Sequence, residues 1–492
     1  MGLSLKPSRF NCWAENPDGD LLLYNTLEVS FLKIHKAQAP ALLPVLEGKQ
    51  AVPENVNPDL IKLGFFVESN TDELALLKYY ADLRLNNPVL ELDILPTHQC
   101  NCRCVYCYED FQGPVLSEAH QKKLIKFVSD HISSCSALHV NWFGGEPLAG
   151  IGVIRNLSPV FVDMCDKLRK NYSASMTTNG TLLTYDTFLE LQKYHVTSFQ
   201  VTIDGPRSVH DKQRPLVGGG SAYDLVMQNM KDIHTRKHGR TFRILLRVNL
   251  TKQCLPDLED FLVELDANFG KDPRFSLDIN VANNWGGDRI DAYKENLLED
   301  EHELDALKKR IFEIITKREL SLHISGYGSK QSFSLGVSGG CYTNSKNYIT
   351  VDATGKLYKC AQGIRQGFPP LGDLETYERP IDLKVELAKW AASYFPEPPE
   401  KCKNCVFLPV GCWGISLCPM IKYLKKYEER PVLSDALCPE ERARAGKNIH
   451  RIFDEPDCPP DLLDIPGVLN KAAPVMKPPF LENIFDQTEG EV

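Results

Sequence analysis

Cys100-Asn101-Cys102-Arg103-Cys104-Val105-Tyr106-Cys107-Tyr108 decides how the rest of the chain is read. Within it, Cys100, Cys104 and Cys107 follow a Cys-x3-Cys-x2-Cys spacing. Three thiolates this close in sequence can wrap one inorganic cluster. A cubane iron–sulfur cluster has four iron corners, usually met by four cysteines. Three cysteines leave one iron open to an outside ligand, whereas a purely structural site closes itself. The competing reading is zinc, which takes four closed ligands, with Cys102 as the fourth sulfur. Here Cys102 is taken as a non-ligand that packs.

Around this stretch, apolar strands alternate with amphipathic helical patterns. Strands are expected at Leu90–Leu95, Leu138–Phe143, Ser173–Thr177, Ser198–Ile203, Arg243–Leu250 and Phe275–Asn280. Helices are expected at Glu118–Ile132, Asn156–Lys170, Tyr185–Tyr194 and Tyr223–His234. Strand–helix alternation implies a parallel sheet. Barrels built this way collect chemistry at the C-terminal ends of their strands. Motifs follow there in order: Cys100 after the first strand and Gly144-Gly145-Glu146-Pro147 after the second. Next come Thr177-Thr178-Asn179-Gly180, then Thr202-Ile203-Asp204-Gly205-Pro206 trailed by His210, Asp211 and Arg214. Asn249 ends the fifth strand. Paired glycines allow close backbone approach. For His98, His210 and Asp211 a loop-structuring role is the alternative, and Asp278 is either a base facing the substrate or a buried, paired aspartate.

The cysteine spacing, the aromatic Tyr106 and the ordered motifs together resemble the radical S-adenosylmethionine (SAM) enzymes. The resemblance implies a partial (β/α)6 TIM-like α/β barrel over residues 89–285. It implies a 4Fe–4S cluster on Cys100, Cys104 and Cys107 whose open iron chelates the amino and carboxylate groups of S-adenosyl-L-methionine. Electron injection then cleaves a C–S bond to give a 5′-deoxyadenosyl radical. Gly144, Gly145 and Glu146 would serve the SAM amino group. Thr178 and Asn179 would face its ribose or carboxylate, and Thr202 would be a further SAM contact. Arg214 would pair with the carboxylate and Asn249 would reach the nucleoside.

N-terminal to the barrel, residues 1–88 read as strands at Ser8–Ala14, Leu21–Asn25 and Val29–Ile34. A turn is expected at Asn16-Pro17-Asp18-Gly19-Asp20. Helical patterns follow at Ala41–Leu46 and Pro58–Leu63, a short return strand at Gly64–Val67, and a helix at Thr71–Leu85 with Thr71 as N-cap. This winged-helix-like α+β pattern resembles the leader-recognition element of enzymes that modify ribosomal peptides, where a peptide adds to an edge strand. The alternative is a structural cap.

C-terminal to the barrel, residues 286–330 read as linker helices. Residues 331–450 carry seven cysteines: Cys341, Cys360, Cys402, Cys405, Cys412, Cys418 and Cys438. Tyr348–Asp352 and Lys356–Tyr358 read as a hairpin turning at Ala353-Thr354-Gly355. The order resembles the SPASM extension of radical SAM maturases, with two auxiliary 4Fe–4S clusters. Its scheme places Cys341, Cys360 and Cys418 on the first and Cys402, Cys405, Cys412 and Cys438 on the second. The gaps of x6 and x5 depart from the usual x5 and x3. No cysteine lies between Cys254 and Cys341 to complete the first cluster, so an open iron there would suit a peptide thiolate. Zinc ribbons are the alternative, since Cys-x2-Cys suits zinc too. Residues 451–492 form a Pro-rich tail.

Composition bounds these readings. The 492 residues are 43% hydrophobic and 25% charged, as in ordinary globular chains. A net charge of -9 argues against nonspecific nucleic-acid binding. No run of about 18 apolar residues is present. The opening Met1-Gly2-Leu3-Ser4-Leu5-Lys6 lacks a signal-peptide profile, so no membrane association and a cytoplasmic location are expected. Sixteen cysteines in such a chain point to metal or redox chemistry rather than disulfides.

The three-part order resembles a maturase of ribosomally made peptides. It implies a precursor peptide whose leader binds the N-terminal element, and an electron donor such as flavodoxin or ferredoxin. The bond expected first is a Cys-to-carbon thioether, ahead of C–C or C–O crosslinks at aromatic side chains. A sulfatase-type maturase that forms formylglycine shares the barrel and the twin-cluster extension. The non-enzymatic alternative is a metal-binding peptide scaffold.

Overall fold

The computed structural model describes residues 4–326, apart from 17, 29, 110, 112, 238, 285–287 and 299–300. It also describes 343–379, apart from 344 and 366–367, and positions 383 and 387. The chain divides into two compact units, the first holding residues 4–84 and the second the remaining described residues.

In the first unit, strands β1 (Leu5–Pro7), β2 (Asn11–Glu15), β3 (Leu21–Asn25) and β4 (Ser30–Ile34) precede helices α1 (Ala39–Leu46) and α2 (Pro58–Lys62). Strand β5 (Phe66–Glu68) and helix α3 (Glu73–Leu85) follow. The antiparallel sheet runs β2-β3-β4, so β2 and β4 are its outer strands, and β1 pairs separately with β5. The expected first strand, Ser8–Ala14, is thus displaced. Ser8–Phe10 turns instead, because Asn25 draws polar groups inward. Its Nδ2 donates to Ser8 Oγ at 3.0 Å, Asn11 Oδ1 at 2.9 Å and the Gly64 carbonyl at 2.9 Å. Leu21, Leu23, Leu32, Ile34, Leu42, Leu60 and Phe65 form the core beneath. The cap of α3 is Asp72, not Thr71. Asp72 Oδ1 accepts from the amides of Leu74 and Ala75, both at 3.1 Å, and its carboxylate also suits the positive helix end. Leu83 of α3 is 53% exposed.

The second unit is a sheet flanked by helices. Its elements in order are β6 (Val89–Ile94), α4 (Glu118–Ile132), β7 (Ala137–Trp142), α5 (Ile151–Leu168), β8 (Asn171–Thr178), α6 (Tyr185–Lys193) and β9 (Val196–Thr202). Next come α7 (Arg207–Gln213), α8 (Ala222–Thr235), β10 (Arg243–Leu250), α9 (Leu258–Phe269) and β11 (Phe275–Val281). The last are α10 (Asp288–Tyr293), α11 (Glu301–Arg318), β12 (His323–Gly326), β13 (Tyr348–Val351), β14 (Lys356–Tyr358), α12 (Ala361–Arg365) and β15 (Gly372–Asp373). The strand order is β12-β11-β10-β9-β8-β7-β6-β13-β14-β15, parallel from β12 to β13 and antiparallel beyond.

The six expected strands are present within three residues at each end. Two parallel strands add to them. β12 follows α11 as a further strand–helix unit. β13, the first arm of the expected hairpin, runs parallel to β6, with Thr350 beside Asp93. Tyr348 Oη reaches across to Asp93, which also accepts from Asn141 Nδ2 at 3.0 Å.

The strands alternate sharply. Leu90, Leu92, Ile94, Leu138, Val140, Trp142, Met176, Phe199, Val201, Leu246, Val248, Leu277 and Ile279 form one core with the helices. The other face carries Asp93, His139, Asn141, Ser175, Thr177, Gln200, Thr202, Arg247, Asn249, Ser276, Asp278 and Asn280. Closed barrels instead fill this inner face with bulky branched residues. Here the wall is polar and half-buried, as an open barrel's inner wall facing water or a polar guest must be. One segment, Pro147–Leu168, is long and apolar enough to cross a membrane by length and composition. Its Val153, Ile154, Leu157, Phe161 and Cys165 are buried in the same core.

Candidate active site at the C-terminal mouth of the sheet

The Cys100–Cys107 loop leaves the end of β6 and is strapped to the segment after α7. The Val105 amide donates to the Gln213 carbonyl at 2.9 Å, Arg103 to Pro215 at 2.8 Å, and Val217 to Asn101 at 2.9 Å. Cys104 is buried, Cys100 and Cys107 half-buried, and all three are free thiols. Cys100 Sγ accepts from the Cys102 amide at 3.4 Å and from Asn179 Nδ2 at 3.7 Å. The hydrogen bond from the Cys102 thiol pulls Cys100 down to about 6. The same bond, with burial, pushes Cys102 far up and keeps it protonated, which suits a packing role. Burial pushes Cys104 to about 11 and Cys107 to about 12, against the pull of Arg214. Among the described residues, no three His, Cys, Asp or Glu side chains converge on a single-ion site.

Glu146 joins the loops after β7 and β8. Fully buried, its carboxylate accepts from Thr178 Oγ1 at 2.8 Å, the Asn179 amide at 2.8 Å and the Leu148 amide at 3.1 Å. Burial raises its pKa to about 7 while these three donors hold it down. Gly144 and Gly145 serve a close backbone contact. A Cβ on Gly144, whose φ is +109°, would lie 2.8 Å from the Thr97 carbonyl oxygen. One on Gly145 would lie 2.5 Å from that of Gln99 and closer still to that of His98. The pair packs against the segment that leads into Cys100.

Asp204, with no exposed surface, is the second hub. Its Oδ1 accepts from the Asn249 amide at 2.8 Å and Asn249 Nδ2 at 3.1 Å. Its Oδ2 meets Tyr106 Oη and, at 3.2 Å, Arg214 Nη1. Arg214 Nη1 also donates to Tyr106 Oη at 2.6 Å. The Asp204 amide donates to His210 Nδ1 at 3.0 Å. Desolvation lowers His210 to about 4, so it is neutral and able to accept. From Asn249 the network continues through Arg247 Nε at 3.2 Å, and from Arg247 Nη1 to Asp278 Oδ2 at 2.5 Å.

Three thiols on the first-strand loop of a parallel α/β sheet, with buried polar hubs on the next loops, invite comparison with known proteins. Residues 94–262 match the model described as the Radical SAM superfamily. The fold is that of the radical SAM superfamily. The chain is 31% identical over 184 residues to the "Serine-type anaerobic sulfatase-maturating enzyme" of Bacteroides thetaiotaomicron. That match covers 35% of this chain and 42% of the relative, so the chain spans less than half of the relative's length. A structure titled "Native anSMEcpe with bound AdoMet" superposes with a TM-score of 0.50 at 19% identity, covering 73% of this chain and 100% of the other. The Streptococcus suis SuiB structure bound to precursor peptide SuiA superposes with a TM-score of 0.45 at 16% identity, over 83% of this chain and 94% of that one.

The residues present fit a radical SAM cluster and its ligand. The donor set is three free thiols. Arg214 acts on all three as a neighbouring cation. It is 8% exposed, and its buried Nε has no hydrogen-bond partner. A buried cation with one donor to spare suits an anionic guest. The structure gathers Cys100, Cys104, Cys107, Glu146, Thr178, Asn179, Arg214 and Asn249 into this hydrogen-bonded mouth. Thr202 ends β9 there. Asp278 is ion-paired with Arg247 and also accepts from Asn280 Nδ2 at 2.9 Å. Cys360 is described, half-buried just past β14. Cys341, Cys402, Cys405, Cys412, Cys418 and Cys438 lie outside the described residues. Sequence reasoning named Asp204 and Tyr106 only as parts of motifs and missed their mutual bond. The available signal was the place of Asp204 in the motif that follows the fourth strand, beside the other site loops.

Proposed function

We propose that this chain is a radical SAM enzyme that modifies a side chain of a peptide, with a ribosomally made precursor peptide as the leading substrate class. The observation that carries it is the loop of three free thiols beside the buried, incompletely bonded Arg214, at the mouth of an open polar barrel. When bound, the cluster and SAM supply a 5′-deoxyadenosyl radical able to take hydrogen from an unactivated carbon. Cys100, Cys104 and Cys107 hold the cluster. Arg214 faces the SAM carboxylate, and Asn179 and Thr178 line the same mouth. The polar wall, with His139 held neutral by desolvation, offers uncharged hydrogen-bonding groups to an extended peptide. The outer strands β2 and β4 offer it an edge for leader pairing. The bond proposed first is a thioether from a Cys sulfur to carbon. It removes two hydrogens, one as a hydrogen atom and one as a proton plus an electron. An electron acceptor is therefore required, a role that fits auxiliary clusters on Cys341, Cys360 and Cys418 and on Cys402, Cys405, Cys412 and Cys438.

A second reading has one specific observation in its favour. The Bacteroides relative is named for maturing a sulfatase, so the substrate would then be a protein and the product formylglycine. Two experiments separate the readings. Anaerobically reconstituted protein with SAM and dithionite should release 5′-deoxyadenosine, and Cys104→Ala should not; release indifferent to Cys104 sinks both. Deleting residues 1–88 should leave SAM cleavage intact and abolish processing of a leader-bearing peptide. Unchanged processing removes the leader-docking role and favours the sulfatase-type reading.

A further inference from the structure

The Arg214–Asp204 pair sits where a loaded cluster would feel it most. Arg214 follows directly on α7, inside the segment strapped along the cysteine loop by the amides of Arg103, Val105 and Val217. Its guanidinium bonds to Tyr106, the residue before Cys107. Asp204 accepts from the same Nη1 and is fixed in turn by Asn249. Both side chains are nearly or wholly buried. The other cation of the loop, Arg103, is exposed and spends Nη1 on the carbonyls of Cys100 at 2.7 Å and Cys102 at 2.9 Å. Water and salt screen an exposed charge and spare a buried one.

We infer that Arg214 and Asp204 form a buried counter-charge pair that sets the reduction potential of a cluster on Cys100, Cys104 and Cys107. The inference rests on the cluster assignment in the proposed function. Cluster potentials depend on net charge, hydrogen bonds to sulfur and solvent exposure. Three thiolates already make the centre anionic, and reduction adds one electron to it. A nearby buried cation therefore favours the reduced form, and a nearby buried anion opposes it. Arg214 raises the potential; Asp204 holds Arg214 in place and offsets part of its field. Neither touches the reacting carbon; both act on the potential through their field at the cluster.

A purely structural clamp makes a different forecast. Losing either partner would then loosen the loop in the same way. The charge reading requires shifts of opposite sign.

The test uses full-length, anaerobically reconstituted protein without SAM. Its cluster is followed by electron paramagnetic resonance through the component that is missing from Cys104→Ala. Arg214→Gln should lower the potential by about tenfold in the reduction equilibrium, which is about 59 mV for one electron. Arg214→Lys, which keeps the charge, should stay near the wild type. Asp204→Asn should move the potential upward. Equal potentials, or shifts of one sign in Arg214→Gln and Asp204→Asn, overturn the inference. So does loss of the component in both Arg214→Gln and Arg214→Lys, which would assign Arg214 a role of shape. Wild-type protein with no Cys104-dependent component would defeat the cluster assignment itself.

Discussion

At the scale of residues, the mouth is held by a few side chains with most of their hydrogen bonds committed. Gly145 shows how little room is left. A methyl group there meets backbone rather than a flexible side chain, so the segment leading to Cys100 has to move. Gly145→Ala should cost about 1–3 kcal/mol and lower iron retention after desalting, checked by urea melts and iron assay. His210 gives a pH signature. Its folded pKa, about 4, lies below the ordinary 6.5 because burial disfavours the cation. Stability is therefore complete above pH 6.5 and is lost as pH falls toward 4, by up to about 3 kcal/mol. Denaturant midpoints of wild type and His210→Asn at pH 7.5 and 5 test this; the variant should lose most of the pH dependence. The three thiols, Glu146 and Asn179 were legible in the chain because spacing and order carry them. The bond between Tyr106 and Asp204 was not, because the two are 98 positions apart and nothing local in either segment names the other.

At the scale of elements, local pattern served well where one face is apolar and the boundaries are marked. The helix Glu118–Ile132 opens on Ser117, whose hydroxyl accepts from the His120 amide, and both of its ends were readable. The strand Arg243–Leu250 alternates without Gly or Pro and was also read end to end. At α3, two candidate caps stand side by side, and the place of Asp72 directly before Glu73, with its full charge, prevailed over Thr71. The hairpin at 348–358 was visible from its turn residues. Its parallel pairing with β6 was not, since partner choice across more than 250 residues depends on the assembled sheet and not on the hairpin. That pairing has a measurable anchor. Asp93 is raised by burial and held down by Tyr348 and Asn141. Tyr348→Phe removes one of these donors and should destabilise the barrel unit by about 1–3 kcal/mol. Equal urea midpoints for variant and wild type would show that the contact contributes nothing.

At the scale of the whole molecule, iron content is the first observable. A single Cys100–Cys104–Cys107 cubane gives about four irons per chain, and two further clusters bring that to about twelve. Substituting Cys104 should remove about four and leave the rest. A loss of all iron would mean that the sites assemble together.

The division of the strands into an apolar side and a polar side has a consequence for how such a protein changes over time. Folding energy is drawn from Leu92, Val140, Phe199, Leu246 and their companions against the helices. Under the proposed function, recognition falls to Asn141, Ser175, Gln200, Ser276 and Asn280 across the pleat. Neighbouring positions along one strand thus answer to different selective pressures. A randomised library confined to the polar side should keep most members folded while altering which guests they accept. Drift in substrate preference can then proceed without compensating mutations elsewhere in the scaffold.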